Sequence, residues 1–181
     1  MQVAETVLPG VLVVEPRVYK DRRGLFFESY NYREYTDRGI SDVFVQDNHS
    51  RSVVGTLRGL HYQVAPGQAK LVRVAVGEVF DVAVDLHWGS PTFGRWVGVM
   101  LSAENRRQLY IPAGYAHGFC VTSEWADFLY KCSSYYAPQD ERGIAWDDPA
   151  IGIVWPMRAP ILSERDQRHP RLAQVSRGDL Y

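Results

Sequence analysis

The sequence predicts an all-β protein whose strands form a double-stranded β-helix, or jelly-roll barrel, with one short helix and a loop-rich C-terminal segment. Many short segments rich in β-branched and aromatic residues are separated by turn signals, and a single stretch has the pattern of a helix. Polar side chains recur in the middle of several strands, on faces that should point inward. A barrel with an open mouth accommodates such groups around a ligand, which favours it over an immunoglobulin-type sandwich.

The composition limits the class of protein. The 181 residues are 46% hydrophobic and 23% charged, without an internal boundary or repeat, so we expect one domain over residues 1–181. The formal net charge of -1 argues against nucleic acid as a partner. We expect no signal peptide and no membrane span, because no apolar run is long enough. Two cysteines in a chain of this size indicate free thiols and a cytoplasmic protein.

The N-terminal part is predicted to contain two strands and the single helix. Residues 11–15 form a strand that ends at Pro16, and a turn over residues 20–24 leads to a second strand over residues 25–30. Asn31 is a typical N-cap for a helix over residues 32–38. Gly39 is a typical residue to end that helix.

The central part is predicted to consist of strands that carry polar groups. Residues 44–49 form a strand dense in amides and carboxylates. Strands over residues 57–63 and 70–76 are joined by a turn at Pro66 and Gly67, and the second of them is expected to form a hairpin with residues 79–86. Four further strands and an irregular end are expected: residues 96–101, 108–112, 116–122 and 126–133, then loops over residues 138–181.

A histidine and a lysine occur on neighbouring strands of this central part. Strand alternation places His61 on the face shared by Gly59 and Gln63, and Lys70 begins the next strand. The structural interpretation is a core histidine bonded to a carbonyl and a lysine at the sheet rim. Arg58 and His61 point to opposite faces of an ideal strand, so both reach one pocket only if Gly59 marks a bulge or a strong twist.

A metal site is the first hypothesis for histidines on jelly-roll strands. Residues 111–117, a proline–glycine turn followed by His117, resemble the second half of the cupin metal signature. The first half requires two histidines alternating on a strand, and here the second position is Gln63. Lys70 nearby would repel a cation. We therefore predict a cupin-like barrel that has lost its metal and gained a lysine.

Several separated stretches together resemble the dTDP-4-dehydrorhamnose 3,5-epimerase family, the cofactor-free, cupin-fold sugar-nucleotide epimerases of deoxysugar biosynthesis. Any one stretch is weak, but the whole set in this order is specific and covers nearly the entire chain. The stretches are residues 21–28 (DRRGLFFE), 46–52 (QDNHSRS), 57–63 (LRGLHYQ), 68–73 (QAKLVR), 77–85 (GEVFDVAVD), 90–94 (SPTFG), 111–119 (IPAGYAHGF), 130–136 (YKCSSYY) and 141–149 (ERGIAWDDP).

The resemblance implies roles for individual residues. His61 matches the family's catalytic base and Asp166 the carboxylate that pairs with it. Lys70 matches the lysine that steadies the keto oxygen of the sugar, and Tyr130 the proton-donating tyrosine across the sugar. The positions that match the substrate site are Arg23, Glu28, Gln46, Asn48, Arg58, His117, Glu141 and Arg165, with Tyr135 or Tyr136 as the aromatic ring that stacks on thymine.

The implied reaction is epimerisation at C3 and C5 of dTDP-4-keto-6-deoxy-D-glucose by proton transfer through an enolate. One departure is Arg165, where lysine is expected in many relatives. An epimerase of C3 or C5 alone and a 3,4-ketoisomerase on the same substrate remain alternatives, as does a sugar-nucleotide-binding module without catalysis. His61 and Tyr130 argue against the module. The resemblance also implies a homodimer, whose N-terminal strands extend the partner's sheet.

Overall fold

The computed structural model describes residues 1–181 as two facing antiparallel β-sheets and a separate two-stranded ribbon. The six-stranded sheet has the order β1-β2-β10-β7-β12-β5, the five-stranded sheet has the order β13-β6-β11-β8-β9, and the ribbon pairs β3 with β4. The elements in chain order are β1 (Gln2–Glu5), β2 (Leu12–Glu15), β3 (Tyr19–Asp21), β4 (Gly24–Phe26), α1 (Tyr32–Thr36), β5 (Gln46–Val53), β6 (Leu57–Gln63), β7 (Lys70–Val76), β8 (Glu78–Asp85), β9 (Trp96–Ser102), β10 (Gln108–Ile111), β11 (Tyr115–Val121), β12 (Trp125–Cys132) and β13 (Glu141–Gly143).

The largest hydrophobic core lies between the two main sheets. It joins fully buried residues of the six-stranded sheet, such as Val72 and Leu109, to residues of the five-stranded sheet, such as Val79 and Val121. Inward-facing apolar side chains therefore fill the space between the layers, as in other β-sandwich arrangements. The predicted all-β class, with a single α-helix, is confirmed. No helix has the length and hydrophobicity needed to cross a membrane.

The predicted hairpin between residues 72–76 and 79–86 is wrong. β7 and β8 follow one another in the chain but belong to different sheets. Gly77 carries the chain across with φ of 76°, and a Cβ atom at this position would lie 2.0 Å from the carbonyl oxygen of Trp125. The sharp bend at this glycine thus moves the chain to the facing sheet, where a tight hairpin would have kept it in the same one.

The predicted strand over residues 25–30 is wrong beyond Phe26. β4 ends at Phe26, and the next residues are irregular up to the helix. The carbonyl oxygen of Ser29 accepts hydrogen bonds from the side chains of Tyr35, at 3.2 Å, and Gln108, at 2.8 Å. Side chains take the place that a neighbouring strand would fill, so the segment stays outside the sheets.

Helix α1 forms where it was predicted but is shorter. The side chain of Asn31 accepts a hydrogen bond from the backbone N–H of Glu34, as an N-cap does. The helix ends at Thr36, and Gly39 follows with φ of 90°. Tyr35 is 1% exposed and packs the helix against the outer side of the six-stranded sheet.

The bulge required at Gly59 is present. His61 pairs with His117 whereas Arg58 pairs with Phe119, so β6 contains one residue more than β11 between these pairs. Gly59 has φ of 136°, and a Cβ atom there would lie 2.5 Å from the Cα of Gly118. The extra residue re-aims the strand, and Arg58 and His61 line the same cavity.

The segment over residues 138–181 is mostly irregular, as predicted, apart from the short strand β13 and three 3₁₀ turns. It covers the outer face of the five-stranded sheet, where Ile144 and Ile151 pack with Val82. Ile161 forms a parallel bridge to Thr56, next to the start of β6. The 3₁₀ turn Asp166–Arg168 follows and contacts β6. This path brings residues 161–166 into the wall of the cavity described below.

Candidate active site

A cavity of about 700 Å³ opens at one end of the barrel. Strands of both sheets and the C-terminal segment contribute to its walls, so residues far apart in the sequence meet there. It brings together eleven of the fourteen residues predicted for the site: Gln46, Asn48, Arg58, His61, Lys70, His117, Tyr130, Tyr136, Glu141, Arg165 and Asp166.

His61 and Asp166 form a hydrogen-bonded pair in this cavity. Nε2 of His61 lies 2.7 Å from Oδ1 of Asp166, whose side chain is 4% exposed. Asp166 Oδ2 accepts a bond from the backbone N–H of Gly59, so the bulge also holds the carboxylate. Burial alone would raise the pKa of Asp166, but the neighbouring imidazoles of His169 and His61 and the hydrogen bond from Gly59 outweigh it and hold the pKa far below its usual value.

Several groups act in opposite directions on His61. Burial lowers the pKa of its imidazole, and the bond to Asp166 raises it. The positive charges of Lys70 and Arg165 lower it again, and the net effect is a lowered pKa. The imidazole is therefore neutral near pH 7, which is the state a general base requires. When Nε2–H is donated to Asp166, the lone pair is on Nδ1.

Arg165 connects the His61–Asp166 pair, the dyad of this site, to the rim of the cavity. Its Nη1 forms a short ion pair with Glu141, and its Nη2 lies 3.3 Å from Nε2 of His61. The hydroxyl of Tyr136 donates to the same Glu141 carboxylate at 2.8 Å. The backbone N–H of Tyr136 donates to Gln46 at 3.0 Å. An aromatic ring, an acid and a fork-shaped cation thus form one connected surface at the mouth.

Lys70 begins β7 and lies in the cavity without a salt bridge to a carboxylate. In the register of the sheet it is opposite Cys132 of β12. Burial lowers the pKa of its ammonium group, and Cys132, Glu141 and Asp81 raise it only in part. Because this ammonium group has no anionic partner in the protein, it can stabilise a negative charge that develops on a bound ligand.

Tyr130 enters the cavity from β12 of the six-stranded sheet. His61 enters from β6 of the facing sheet. Burial is the main cause that raises the pKa of the Tyr130 phenol. The phenol therefore keeps its proton at neutral pH. The cavity contains a neutral base on one sheet and a protonated acid on the other.

His117 lines the cavity and pairs with a buried acid. Its Nε2 lies 3.1 and 3.0 Å from the two carboxylate oxygens of Asp81. Its ring also stacks on Phe128 at 6.0 Å between centroids. Asp81 is fully buried and was missed, although an acidic residue within the apolar stretch VFDVAV was a signal for it.

Three predicted site residues do not line the cavity of the chain. Arg23 lies in the exposed ribbon and pairs with Asp21, and Glu28 accepts a bond from Asn31 beside helix α1. Tyr135 is 72% exposed and points outside, so Tyr136 is the aromatic residue of the cavity.

Sequence reasoning also missed His169, which lies next to the dyad. His61, Asp166 and His169 each present one atom within 4.8 Å of the others, a separation compatible with a bound metal ion. The metal hypothesis drawn from the sequence had considered His61, Gln63 and His117. The Gln63 amide instead donates to Pro66, Ser134 and Tyr135, and it fixes two loops. Only the position of His169 three residues after Asp166 could have indicated it.

The comparisons with known proteins agree with this geometry. The sequence profile of the dTDP-4-dehydrorhamnose 3,5-epimerase family matches residues 5–174. The dTDP-4-dehydrorhamnose 3,5-epimerase of Pseudomonas aeruginosa is 58% identical over 177 residues, which cover 97% of this chain and 98% of that protein.

Two solved structures bear on the cavity. The dTDP-6-deoxy-D-glucose-3,5-epimerase of Legionella pneumophila, in complex with dTDP-4-keto-L-rhamnose, is 50% identical, with a TM-score of 0.96 over 99% of this chain and 96% of that one. A 3'-monoepimerase of Streptomyces bikiniensis, in complex with dTDP-quinovose, is 37% identical, with a TM-score of 0.90 over 97% of this chain and 90% of that one. Through its sequence, its jelly-roll fold and its cavity, this chain belongs to the dTDP-4-dehydrorhamnose 3,5-epimerase family.

Proposed function

We propose that the chain is an isomerase that epimerises C3 and C5 of dTDP-4-keto-6-deoxy-D-glucose, giving dTDP-4-keto-L-rhamnose for deoxysugar biosynthesis. The observation that carries the proposal is one cavity in which the His61–Asp166 pair and Tyr130 enter from facing sheets, with Lys70 beside them. Family membership and the high identity to named 3,5-epimerases support the same reaction.

The chemistry requires a base, an acid and a charge. A carbon next to a ketone inverts when its proton is removed and returned on the opposite face, and the carbanion is tolerable only as an enolate. The neutral imidazole of His61 takes the proton, and Asp166 stabilises the imidazolium that forms. Lys70 stabilises the enolate oxygen in a site partly closed to water.

The proton donor completes the inversion. Tyr130 keeps its proton because burial raises its pKa, and it releases that proton to the enolate. A base on one face and an acid on the other invert the carbon, and the same pair acts on C3 and C5 because both flank the C4 ketone. Tyr136, Glu141 and Arg165 at the mouth would bind the nucleotide part of the substrate.

Turnover in heavy water tests the proposal. Deuterium is expected at both C3 and C5 of the product, since each carbon loses its proton and receives one from solvent-exchanged groups. The variant His61→Ala should lose exchange and turnover together. A wild-type product labelled at neither carbon, or a His61→Ala variant that exchanges at the wild-type rate, would contradict the assignment.

The second candidate function is epimerisation of a single carbon, and one observation supports it. The similar Streptomyces bikiniensis protein is named a 3'-monoepimerase, so the same fold accompanies both reactions. Deuterium at a single carbon of the wild-type product would establish this alternative. A product whose ketone has moved to C3 would instead identify a ketoisomerase, which NMR of the product distinguishes.

We further propose that the chain acts as a homodimer in which the ribbon of one subunit reaches the site of the other. The ribbon residues Tyr19, Leu25 and Phe26 are exposed apolar side chains, and Arg23 and Glu28 lie outside the chain's own cavity. Mixing the inactive variants Arg23→Ala and His61→Ala should restore activity, because a mixed dimer contains one site with both residues intact. Absence of restored activity in a verified mixed dimer would contradict the proposal.

A further inference from the structure

His169 is a half-buried histidine that lies against the His61–Asp166 pair and that the proposed reaction does not use. It follows the 3₁₀ turn Asp166–Arg168, and its Nε2 is completely buried without a hydrogen bond shorter than 3.5 Å. The nearest acidic atom is Oδ1 of Asp166, at 3.5 Å. The rest of the ring is largely enclosed, since the side chain is 13% exposed.

The same carboxylate oxygen serves two imidazoles. Asp166 Oδ1 lies 2.7 Å from Nε2 of His61 and 3.5 Å from Nε2 of His169. The two rings meet edge to face, with centroids 5.5 Å apart and an angle of 76° between their planes. A proton on the buried Nε2 of His169 would therefore face Oδ1 of Asp166, at the outer limit of hydrogen-bond distance.

The position of His169 is fixed by its neighbours. Its ring lies on the backbone of Gly143, where a Cβ atom would be 2.3 Å from two ring atoms. Gly143 is the register partner of His61 on β13, so this strand carries the second imidazole beside the first. The backbone N–H of Ala145 bonds to Pro170, directly after His169, at 2.8 Å. Gly143 has a negative φ, which means that space and not backbone conformation requires glycine here.

We propose that His169 is a positioning residue that shares Asp166 with His61 and thereby keeps His61 unprotonated and ready to act as the base. An N–H group of His169 directed at Oδ1 from 3.5 Å offsets part of the negative charge on that oxygen. Less of that charge then stabilises a protonated His61, so the free imidazole persists to lower pH. The inference deepens the proposed function, on which it rests.

Other charged and titratable groups line the same cavity as His61. Besides Arg58 on its own strand, they are Lys70, His117, Tyr130, Cys132, Tyr136, Glu141, Arg165 and Asp166. Lys70 and Arg165 already favour the neutral form of His61, and Asp166 is the one group that strongly favours the protonated form. A change at His169 therefore acts on His61 through Asp166, whose negative charge opposes the positive charges of Lys70 and Arg165.

The variant His169→Phe keeps a flat ring of similar size and removes the N–H donor. In the ligand-free protein, the NMR titration of His61 should move to higher pH by about half a unit or more. The acidic limb of kcat/KM should move in the same direction, so that activity below the limb falls by roughly threefold. The plateau at higher pH should stay close to wild type, whereas a merely structural defect would lower the plateau without moving the limb.

Two variants separate hydrogen bonding from shape. His169→Gln retains a donor and should keep the His61 titration near its wild-type position. Gly143→Ala leaves His169 in the chain but displaces its ring, and it should reproduce the shift of His169→Phe. The matched controls are His87→Phe, whose histidine pairs with Asp85 outside the cavity, and Gly178→Ala, where a Cβ atom meets nothing closer than 3.7 Å.

The outcomes are distinct from those of the proposed function. The titration of His61 is read without substrate, so it does not depend on which sugar the protein converts. If His61 titrates at the wild-type pH in both His169→Phe and Gly143→Ala, or at lower pH in either, the inference is overturned. If wild-type protein fails to epimerise the substrate while the titration shifts as expected, only the proposed function fails.

Discussion

Asp166 and His61 are separated by 105 residues along the chain, yet their side chains meet at 2.7 Å. The pair depends on the C-terminal segment lying over β6 and on the bulge at Gly59, which donates a second hydrogen bond to the same carboxylate. A base on a strand is thus completed by an acid on a segment without regular structure.

The first prediction concerns this pair. Asp166→Asn should lower kcat by about 10³-fold or more, because an amide that donates to Nε2 of His61 forces the proton onto Nδ1 and removes the base. Deuterium exchange at C3 and C5 should fall equally. Asp179→Asn is the control, since Asp179 pairs with Arg142 at the surface and should leave kcat unchanged. Equal activity of the two variants would refute the role of Asp166.

The second prediction concerns the proton donor. Tyr130→Phe should retain exchange of substrate protons while product formation falls by about 10²-fold or more, because the base remains and the donor of the opposite face is gone. NMR of the recovered substrate measures the exchange. Tyr62→Phe is the control, since the buried hydroxyl of Tyr62 has no hydrogen-bond partner. Loss of exchange in Tyr130→Phe would indicate that the phenol acts in abstraction.

The third prediction is that removing the charge of Lys70 raises the stability of the protein and lowers its activity. Because burial lowers its pKa, the ammonium group destabilises the folded protein at every pH below its folded pKa, and this cost disappears above the unfolded pKa near 10.5. Lys70→Met should therefore raise the free energy of unfolding at pH 7 by roughly 1 kcal/mol, or about 2–4 °C in Tm.

Exchange at both C3 and C5 should nevertheless slow in Lys70→Met, because both enolates form on the same oxygen. Calorimetry and exchange measured on one preparation check the two effects. Lys131→Met is the control, since Lys131 pairs with Asp47 at 2.9 Å and should gain no stability. A destabilised but fully active Lys70→Met protein would contradict the assignment.

The fourth prediction concerns pH. The acidic limb of kcat/KM should lie below 6.5, the usual histidine pKa, because burial, Lys70 and Arg165 outweigh Asp166 at His61. Because the pKa of His61 is lower in the folded protein than in the unfolded chain, the unfolded chain is protonated at this group first as the pH falls. His61 therefore reduces the free energy of unfolding as the pH falls through about 6.5.

Arg165→Gln removes the cation that lies 3.3 Å from His61 and should move the limb to higher pH. Arg168→Gln is the matched control, because Arg168 is 78% exposed and pairs with Glu164. A wild-type limb above 6.5, or equal profiles for the two variants, would show that these charges do not control the base.

The fifth prediction is that turnover survives exhaustive treatment with EDTA. His61, Asp166 and His169 lie close enough to bind a cation, but Arg165 contacts the same nitrogen of His61 and its charge opposes an ion there. Activity before and after chelation gives the comparison. Loss of activity that one divalent ion restores would contradict the prediction and revive a metal mechanism.

Local patterns predicted most strands and the helix, because alternation, Asn31 and Gly39 act within a few residues. They failed where long-range contacts decide. At Gly77 the chain changes sheets, and after Phe26 the side chains of Tyr35 and Gln108 replace a strand partner. The requirement for a bulge at Gly59 was derivable, since Arg58 and His61 could not otherwise share a pocket.

The candidate site shows the same division. Strand alternation marked His61 and Lys70 as candidates, but their roles and that of Tyr130 came from the family resemblance. Asp166 depended on the resemblance altogether, because its segment has no pattern of its own. Asp81 and His169 were missed. Their significance comes from contacts with His117 and Asp166 across the fold, and no local pattern contains that information.

The attachment of Asp166 to β6 has a consequence for local unfolding. The segment that carries Asp166 also supplies Leu162 and Arg165 to the cavity wall, and the bridge between Ile161 and Thr56 joins it to the start of β6. If this segment detached while the two sheets stayed intact, His61 would lose its carboxylate partner, whereas Lys70 and Tyr130 would keep their places in the strands. Segments without regular structure open at lower free energy than sheet strands, so the state of the base depends on one of the less stable parts of the fold.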